Sequence, residues 1–182
     1  MKNFFLLIIV YFAINTANAQ EISSQFDYRL GTGISLLGTG DMRTLMVENE
    51  LNYKFNWYLA TSVSLAYAKS NSGVFEASSF FQGNLNFYLS PFKNDGKGDF
   101  RIGAGLSTYD VSDTRIFRTE NSPEGFFVEY AYDERQAVGA NILLEYTRTL
   151  GEKWLLGIKS FTQPYFNGDI NSGILLKVGR VL

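Results

Sequence analysis

Leu45-Met46-Val47-Glu48-Asn49-Glu50-Leu51-Asn52-Tyr53-Lys54-Phe55 is the stretch whose reading decides the fold. Leu45, Val47, Leu51, Tyr53 and Phe55 share one parity, and Met46, Glu48, Glu50, Asn52 and Lys54 share the other. Successive side chains of a strand point to opposite faces, so this segment has one apolar face and one charged face. The same rhythm recurs in about eight segments, and no spare helix or second sheet is left to cover them. The economical solution is a closed barrel whose outside is solvated by lipid.

The rhythm begins only after a different kind of segment ends. Met1-Lys2-Asn3 is a short positive start, Phe4 to Ile14 is unbroken apolar sequence, and Ala17-Asn18-Ala19 supplies small residues before Gln20. That is the layout of a cleaved export signal over residues 1–19. Its eleven apolar residues fall short of the ~20 that a helical span needs. The mature chain, residues 20–182, is then 182 − 19 = 163 residues long, a size suited to one barrel domain. Beyond residue 19 no apolar run approaches the length of a helical span.

Composition prunes further. The chain has no Cys, which removes disulfides, thiolate metal sites and a lipid-modified cysteine anchor. A formal charge of −2 becomes −3 once Lys2 leaves with the signal, so no nucleic-acid partner is indicated. It has no His, which excludes Ser-His-acid hydrolysis and His metal sites. Glu48 and Glu50 share a face and could in principle do acid–base work, but alternation places such pairs by chance. Gly31-Thr32-Gly33 lacks the following helix and Lys-Ser/Thr ending of a phosphate loop. We therefore expect no enzyme, no cofactor, no metal and no catalytic residue.

Eight strands are predicted at residues 26–36, 45–55, 57–67, 81–89, 100–107, 138–147, 154–159 and 173–182. Their connections alternate between two sides. Returns near Asn56, 91–98 and 150–153 fall on the periplasmic side, and those at 38–41, 69–73, 110–135 and 163–171 on the outer side. The longest connection lies outside, as in outer-membrane barrels generally. Tyr53, Phe55, Trp57, Phe87, Phe100, Tyr146 and Trp154, with Phe26, fall at strand ends assigned to the periplasmic interface. Tyr67, Phe75, Tyr109, Tyr165 and Phe166 fall near the opposite one. Amphipathic rings collect at headgroup level, so two girdles are expected.

Three segments carry a family likeness: Asn84-Leu85-Asn86-Phe87-Tyr88-Leu89, then Phe100-Arg101-Ile102-Gly103-Ala104-Gly105-Leu106, and the final Gly173–Leu182. With them the mature chain resembles the small eight-stranded outer-membrane β-barrel family, the group of OmpA-like and OmpX-like barrels. The resemblance implies an all-β, antiparallel up-and-down transmembrane barrel in the cell outer membrane. It implies contact with outer-membrane lipid and lipopolysaccharide, and a terminal strand recognised by the barrel-assembly machinery. The chain departs from the family in ending on Leu182 rather than an aromatic residue, and Arg180 falls on the outward parity.

Asp27, Arg29, Glu48, Glu50, Lys54, Arg101, Glu145, Lys159 and Lys177 all fall on the inward parity. An eight-stranded barrel is just wide enough for side chains to fill it. The favoured reading is a packed network of paired charges; a narrow polar conduit for small solutes is the alternative, because inward Gly, Ala and Ser leave room. Function without chemistry then rests on the outer connections. Arg115, Arg118, Glu120, Glu124 and Glu129, with Phe117, Phe126, Phe127 and Tyr130, make 110–135 either a binding surface of the mixed aromatic and charged kind for an unknown partner, or simply a loop over the barrel mouth or two strands extended beyond the membrane. A secreted lipocalin-like binding barrel is a third reading. It would need an apolar inside and a Gly-x-Trp start, and this sequence shows neither.

Overall fold

A computed structural model describes residues 25–38, 42–71, 77–92, 97–122 and 125–182. The expected export signal, Phe75 and Glu124 lie outside the described residues, as do parts of the turns expected at 38–41, 69–73 and 91–98. Alternation becomes eight strands: β1 (Phe26–Leu37), β2 (Met42–Lys54), β3 (Leu59–Asn71), β4 (Ala77–Leu89), β5 (Gly98–Ser122), β6 (Gly125–Leu150), β7 (Trp154–Pro164) and β8 (Ile170–Val181). Each pairs antiparallel with the next, and β1 returns to β8 from Asp27↔Val181 to Leu36↔Ser172, closing an up-and-down barrel. Closure leaves no sheet edge within the wall, so every ladder group there has a partner.

The barrel is polar inside and apolar outside. In β1, Asp27, Arg29 and Ser35 are buried while Leu30 and Ile34 are exposed. Val63, Leu85, Leu106, Ile142 and Leu176 continue the exposed apolar band around the wall. An apolar belt of that extent is foreign to a protein surrounded by water. Strands other than β5 and β6 have 11 to 13 residues, enough for the ~9–11 of a tilted span. Outward Thr32, Thr108 and Ser160 add short hydroxyls to the belt, and Asn49, outward on β2, adds an amide whose oxygen accepts a 2.6 Å hydrogen bond from the Tyr28 hydroxyl. The pair satisfies itself, as a polar group facing hydrocarbon must.

Turn chemistry corrects one boundary. The third strand starts at Leu59 rather than at residue 57. Asn56 Oδ1 accepts from the backbone N–H groups of Tyr58 and Leu59, both at 2.8 Å, and so holds residues 55–58 in the turn. Trp57 is therefore half-buried in the turn beside Lys54 and Ser90 rather than outward on a strand. At the β6–β7 turn Gly151 takes φ +66°, a region that favours glycine.

The 110–135 segment is strand almost throughout. β5 and β6 run for 25 and 26 residues and pair from Gly98↔Arg148 to Ser122↔Gly125, with one register shift between Ile116 and Arg118. Tyr109 and Val111 continue the buried parity of β5. Val128, Tyr130, Tyr132, Ile116 and Thr119 supply the β-branched and aromatic residues that strands favour. β4 pairs no further than Ala77↔Thr114, and β6 parts from its other neighbour just past Gly139↔Tyr165, where the Val138 carbonyl accepts from Phe166 N–H at 3.0 Å. Beyond those points the two strands form a ribbon on their own.

The space left by small inward residues is filled by their partners on the neighbouring strands. A Cβ built on Gly103 would lie 2.8 Å from the Tyr88 ring and 3.0 Å from Leu143 Cδ1. Replacing Gly103 by Val should therefore cost about 1–3 kcal/mol through overpacking. Gly83→Ala adds a methyl that meets Thr108 Cγ2 at 3.5 Å, and should change stability by less than about 0.5 kcal/mol. Urea-unfolding midpoints of the refolded barrel read both.

Candidate functional site

The interior is built in layers from the end carrying the termini, the base, to the end carrying the ribbon, the mouth. At the base Lys54 is part-exposed and 4.0 Å from Asp99, whose Oδ1 accepts from Ser90 at 3.0 Å. Lys54 thus stands at the lower rim, outside the sealed part of the interior.

Above it, strand register sets opposite charges side by side: Arg29↔Glu50, Arg101↔Glu145 and Glu145↔Lys159 are direct cross-strand partners. Arg29 pairs with Asp27 at 2.6 Å and with Glu145. Arg101 pairs with Glu145 at 2.5 Å and lies 4.2 Å over the Tyr88 ring centroid. Lys159 reaches across to Glu48 at 2.8 Å and Glu50 at 3.0 Å. Lys177 bonds Glu50 at 2.6 Å and Glu48 at 3.0 Å. Gly31 makes room for that lysine: a Cβ there would sit 3.3 Å from Lys177 Cγ. Four carboxylates (Asp27, Glu48, Glu50, Glu145) therefore face four cations (Arg29, Arg101, Lys159, Lys177), and all eight are at most 2% exposed. Balance of this kind is what burial requires, since an unpaired charge costs several kcal/mol.

The next layer is amides. Asn141 Nδ2 donates to Asn86 at 2.7 Å, Gln82 to Asn84 at 2.8 Å, and Asn171 to Gln82 at 3.0 Å and Gln163 at 3.1 Å. Ser64 ties this layer to the charges by donating to Glu48 at 2.8 Å while accepting from Asn84 at 3.0 Å. Gln163 and Asn171, expected in an outer connection, are instead the last buried polar positions of β7 and β8.

An apolar plug closes the top. Leu37, Phe80, Val111, Phe161 and Leu175 are buried there with Tyr109 and Tyr165, whose rings meet edge-on at 4.1 Å. Both tyrosines point in, which corrects their expected place in an outer girdle. Arg135, which the inward-charge pattern did not mark, clasps the rim: it pairs with Asp113 and, at 3.1 Å, with Asp169. Tyr109 donates its hydroxyl to Asp169 and accepts from Asn167 at 2.7 Å. Outward neighbours here are Asp110, Ser112 and Gln136, so the clasp stands above the apolar band. Burial, with Asp169 as partner, pushes the Tyr109 phenol up to about 12.

The remaining aromatics collect around the base. Phe26, Tyr53 and Phe55 form a chain with centroids 4.9 and 5.0 Å apart, Phe100 pairs in register with Tyr146, and Phe87 and Trp154 are exposed on the outer face. Arg180, also outward, stands between Tyr28 and Trp154 in register. At the mouth Tyr67, Phe81 and Phe166 are the exposed rings. On the ribbon Phe117 and Tyr132 are exposed on the strands that also carry Arg118 and Glu129, and the backbones of Arg115, Glu120, Phe126 and Phe127 lie in the same two strands.

Chemically, this interior fills space. A conduit wide enough for water would leave its lining side chains accessible to water, and the eight charged groups are not. Among the described residues no cluster of acidic side chains is arranged to hold a metal ion.

No family model matches the chain, and no curated protein matches it in sequence. Solved structures do. Neisserial surface protein A is 12% identical over 89% of this chain and 100% of its own, with a TM-score of 0.64. Ail, the attachment invasion locus protein of Yersinia pestis, in complex with the heparin analogue sucrose octasulfate, is 11% identical over 88% and 100%, with a TM-score of 0.62. The outer membrane protein OprG from Pseudomonas aeruginosa is 9% identical over 90% and 96%, with a TM-score of 0.52. The fold is that of these small eight-stranded barrels, shared at identities where sequence itself is no longer alike.

The charge layer yields a stability test. Glu145→Gln leaves Arg29 and Arg101 without their common carboxylate and should destabilise the barrel by about 3–5 kcal/mol. Lys159→Met with Glu48→Gln should cost less than the sum of the two single changes, because the pair leaves together. A double-mutant cycle in urea measures it.

Proposed function

We propose that this chain is a non-enzymatic integral protein of the outer membrane, a plugged barrel that acts through its outer ribbon. The observation that carries the reading is the polarity of the wall: charges and amides sealed inside, a predominantly apolar belt outside. Only lipid solvates such a surface, and a closed barrel is the one β structure that satisfies its backbone there. Residues 1–19 serve as the cleaved export signal in this reading, and the base aromatics with Arg180 mark the periplasmic interface. Tyr67, Phe81 and Phe166 mark the outer interface, where the barrel meets lipid and lipopolysaccharide. Barrel-assembly machinery would handle the β8 strand during insertion.

The solvent-facing element is the β5–β6 ribbon. Exposed Phe117 and Tyr132 beside Arg118 and Glu129 give it the aromatic and charged mix that binding surfaces favour. The structures it resembles include a surface protein and an attachment protein by name, which supports a role in surface contact. The filled interior speaks against passage of solutes.

Site-directed spin labels test the polarity. Labels at Leu51, Leu85 and Leu176 of the reconstituted protein should be accessible to lipid-dissolved oxygen and shielded from a water-soluble relaxation agent. Water accessibility at those sites would overturn the membrane reading. In planar bilayers the refolded barrel should show no discrete openings; steady unitary conductance would replace the plugged reading with the pore. Substituting a short turn for residues 115–131 should leave heat-modifiable gel migration intact, since the ribbon closes no part of the wall.

A further inference from the structure

The outer face of the barrel carries a hollow. Near the mouth, across β2, β1, β8 and β7, a groove of about 500 Å³ opens outward, lined among others by Ile34, Leu36, Ile174, Ser160, Ser172 and Arg43. That volume lies in the range of ligand sites, about 300–1,000 Å³. Register explains the shape. One row across the wall reads Arg43, Leu36, Ser172, Thr162, and the next reads Ile34, Ile174, Ser160. Leu36, Ile34 and Ile174 thus stand over β1 and β8, while Ser172, Thr162 and Ser160 leave the side toward β7 low.

Its chemistry is one-sided. Thr162 and Ser172 bond each other at 2.8 Å and so ask nothing of a ligand. The lining is mostly apolar, with the Ser160 hydroxyl toward β7 and Arg43 exposed on the outer face at the upper end. Among the described residues no carboxylate pairs with Arg43, unlike the four buried cations. An arginine at the margin of an apolar belt keeps its guanidinium at headgroup level, where it suits the planar, bidentate recognition of phosphate.

We infer that this groove binds one acyl chain of a phosphate-bearing glycolipid, the lipid A part of lipopolysaccharide, with its phosphate on Arg43 and its chain running down past Leu36 and Ile174. The inference rests on the membrane reading above, in which the mouth lies in the outer leaflet, where lipopolysaccharide is the phosphate-bearing lipid. Leu36 and Ile174 grip the chain by apolar contact, and Arg43 selects the headgroup.

Native mass spectrometry of the refolded full-length mature barrel tests it, with purified lipid A, dephosphorylated lipid A and phosphatidylglycerol as probes. One lipid A should stay on each barrel through delipidation. Arg43→Gln should lower lipid A retention about tenfold, the scale of one charge-assisted contact, and leave dephosphorylated lipid A unchanged. Ser160→Trp fills the hollow from an outward position and should lower retention of both lipids without altering heat-modifiable migration. Thr108→Trp, outward on β5 across the barrel, should alter neither. Equal retention by wild type, Arg43→Gln and Ser160→Trp overturns the groove, as does phosphatidylglycerol held as tightly as lipid A, or a second copy of the chain cross-linked through position 160. A wild-type chain that never enters bilayers overturns the membrane reading itself. One that enters, and holds lipid regardless of Arg43 and Ser160, overturns only the groove.

Discussion

Backbone hydrogen bonding without water is the constraint from which the rest of this structure follows. A strand whose outward face is Leu, Ile and Val has no solvent to satisfy its N–H and C=O groups in hydrocarbon, so the ladder must run around and meet itself. The β1–β8 pairing from Asp27↔Val181 to Leu36↔Ser172 is that meeting. Once eight strands close, the inside is too narrow to stay empty and too crowded for bulk water. Its polar side chains must then find partners among themselves.

That requirement gives the interior its order. The charge layer is neutral within itself, the amide layer joins it through Ser64, and the apolar plug with its Arg135 clasp caps both. The four buried cations each find a carboxylate within their own layer, some from the neighbouring strand and some, like Lys159 with Glu48, from across the barrel. The arrangement also accounts for the two carboxylates that alternation sets side by side. Glu48 and Glu50 share a face as an acid–base pair would, yet both are held by Lys159 and Lys177 and shut away from any substrate. The surfaces left to interact are the ribbon, which faces water, and the outer wall, which faces lipid.

Much of this was legible from residues alone. Parity named every strand, its inward charges and its outward belt, because a period of two is a local property that neighbours along the chain impose. Parity could not separate a loop from a ribbon over 110–135, since polar and aromatic residues serve both; pairing of β5 with β6 settled it. Nor could it see that the Asn56 side chain holds Trp57 in the turn, because that depends on a side chain competing for two backbone donors. Lys54 shares the inward parity with its neighbours but stands at the rim, as its height along the barrel dictates.

By itself the sequence determined which side of each strand meets hydrocarbon, and with it the closed, inside-out architecture. Tertiary structure alone decided which acid meets which base, that Gly31 and Gly103 admit Lys177 and Tyr88, that Tyr109 and Tyr165 turn in to seal the mouth, and that Gln163 and Asn171 join the amide layer. The physical reason is distance along the chain. Alternation acts between adjacent residues, whereas Lys159 finds Glu48 only after closure brings β7 and β2 to face each other across the barrel.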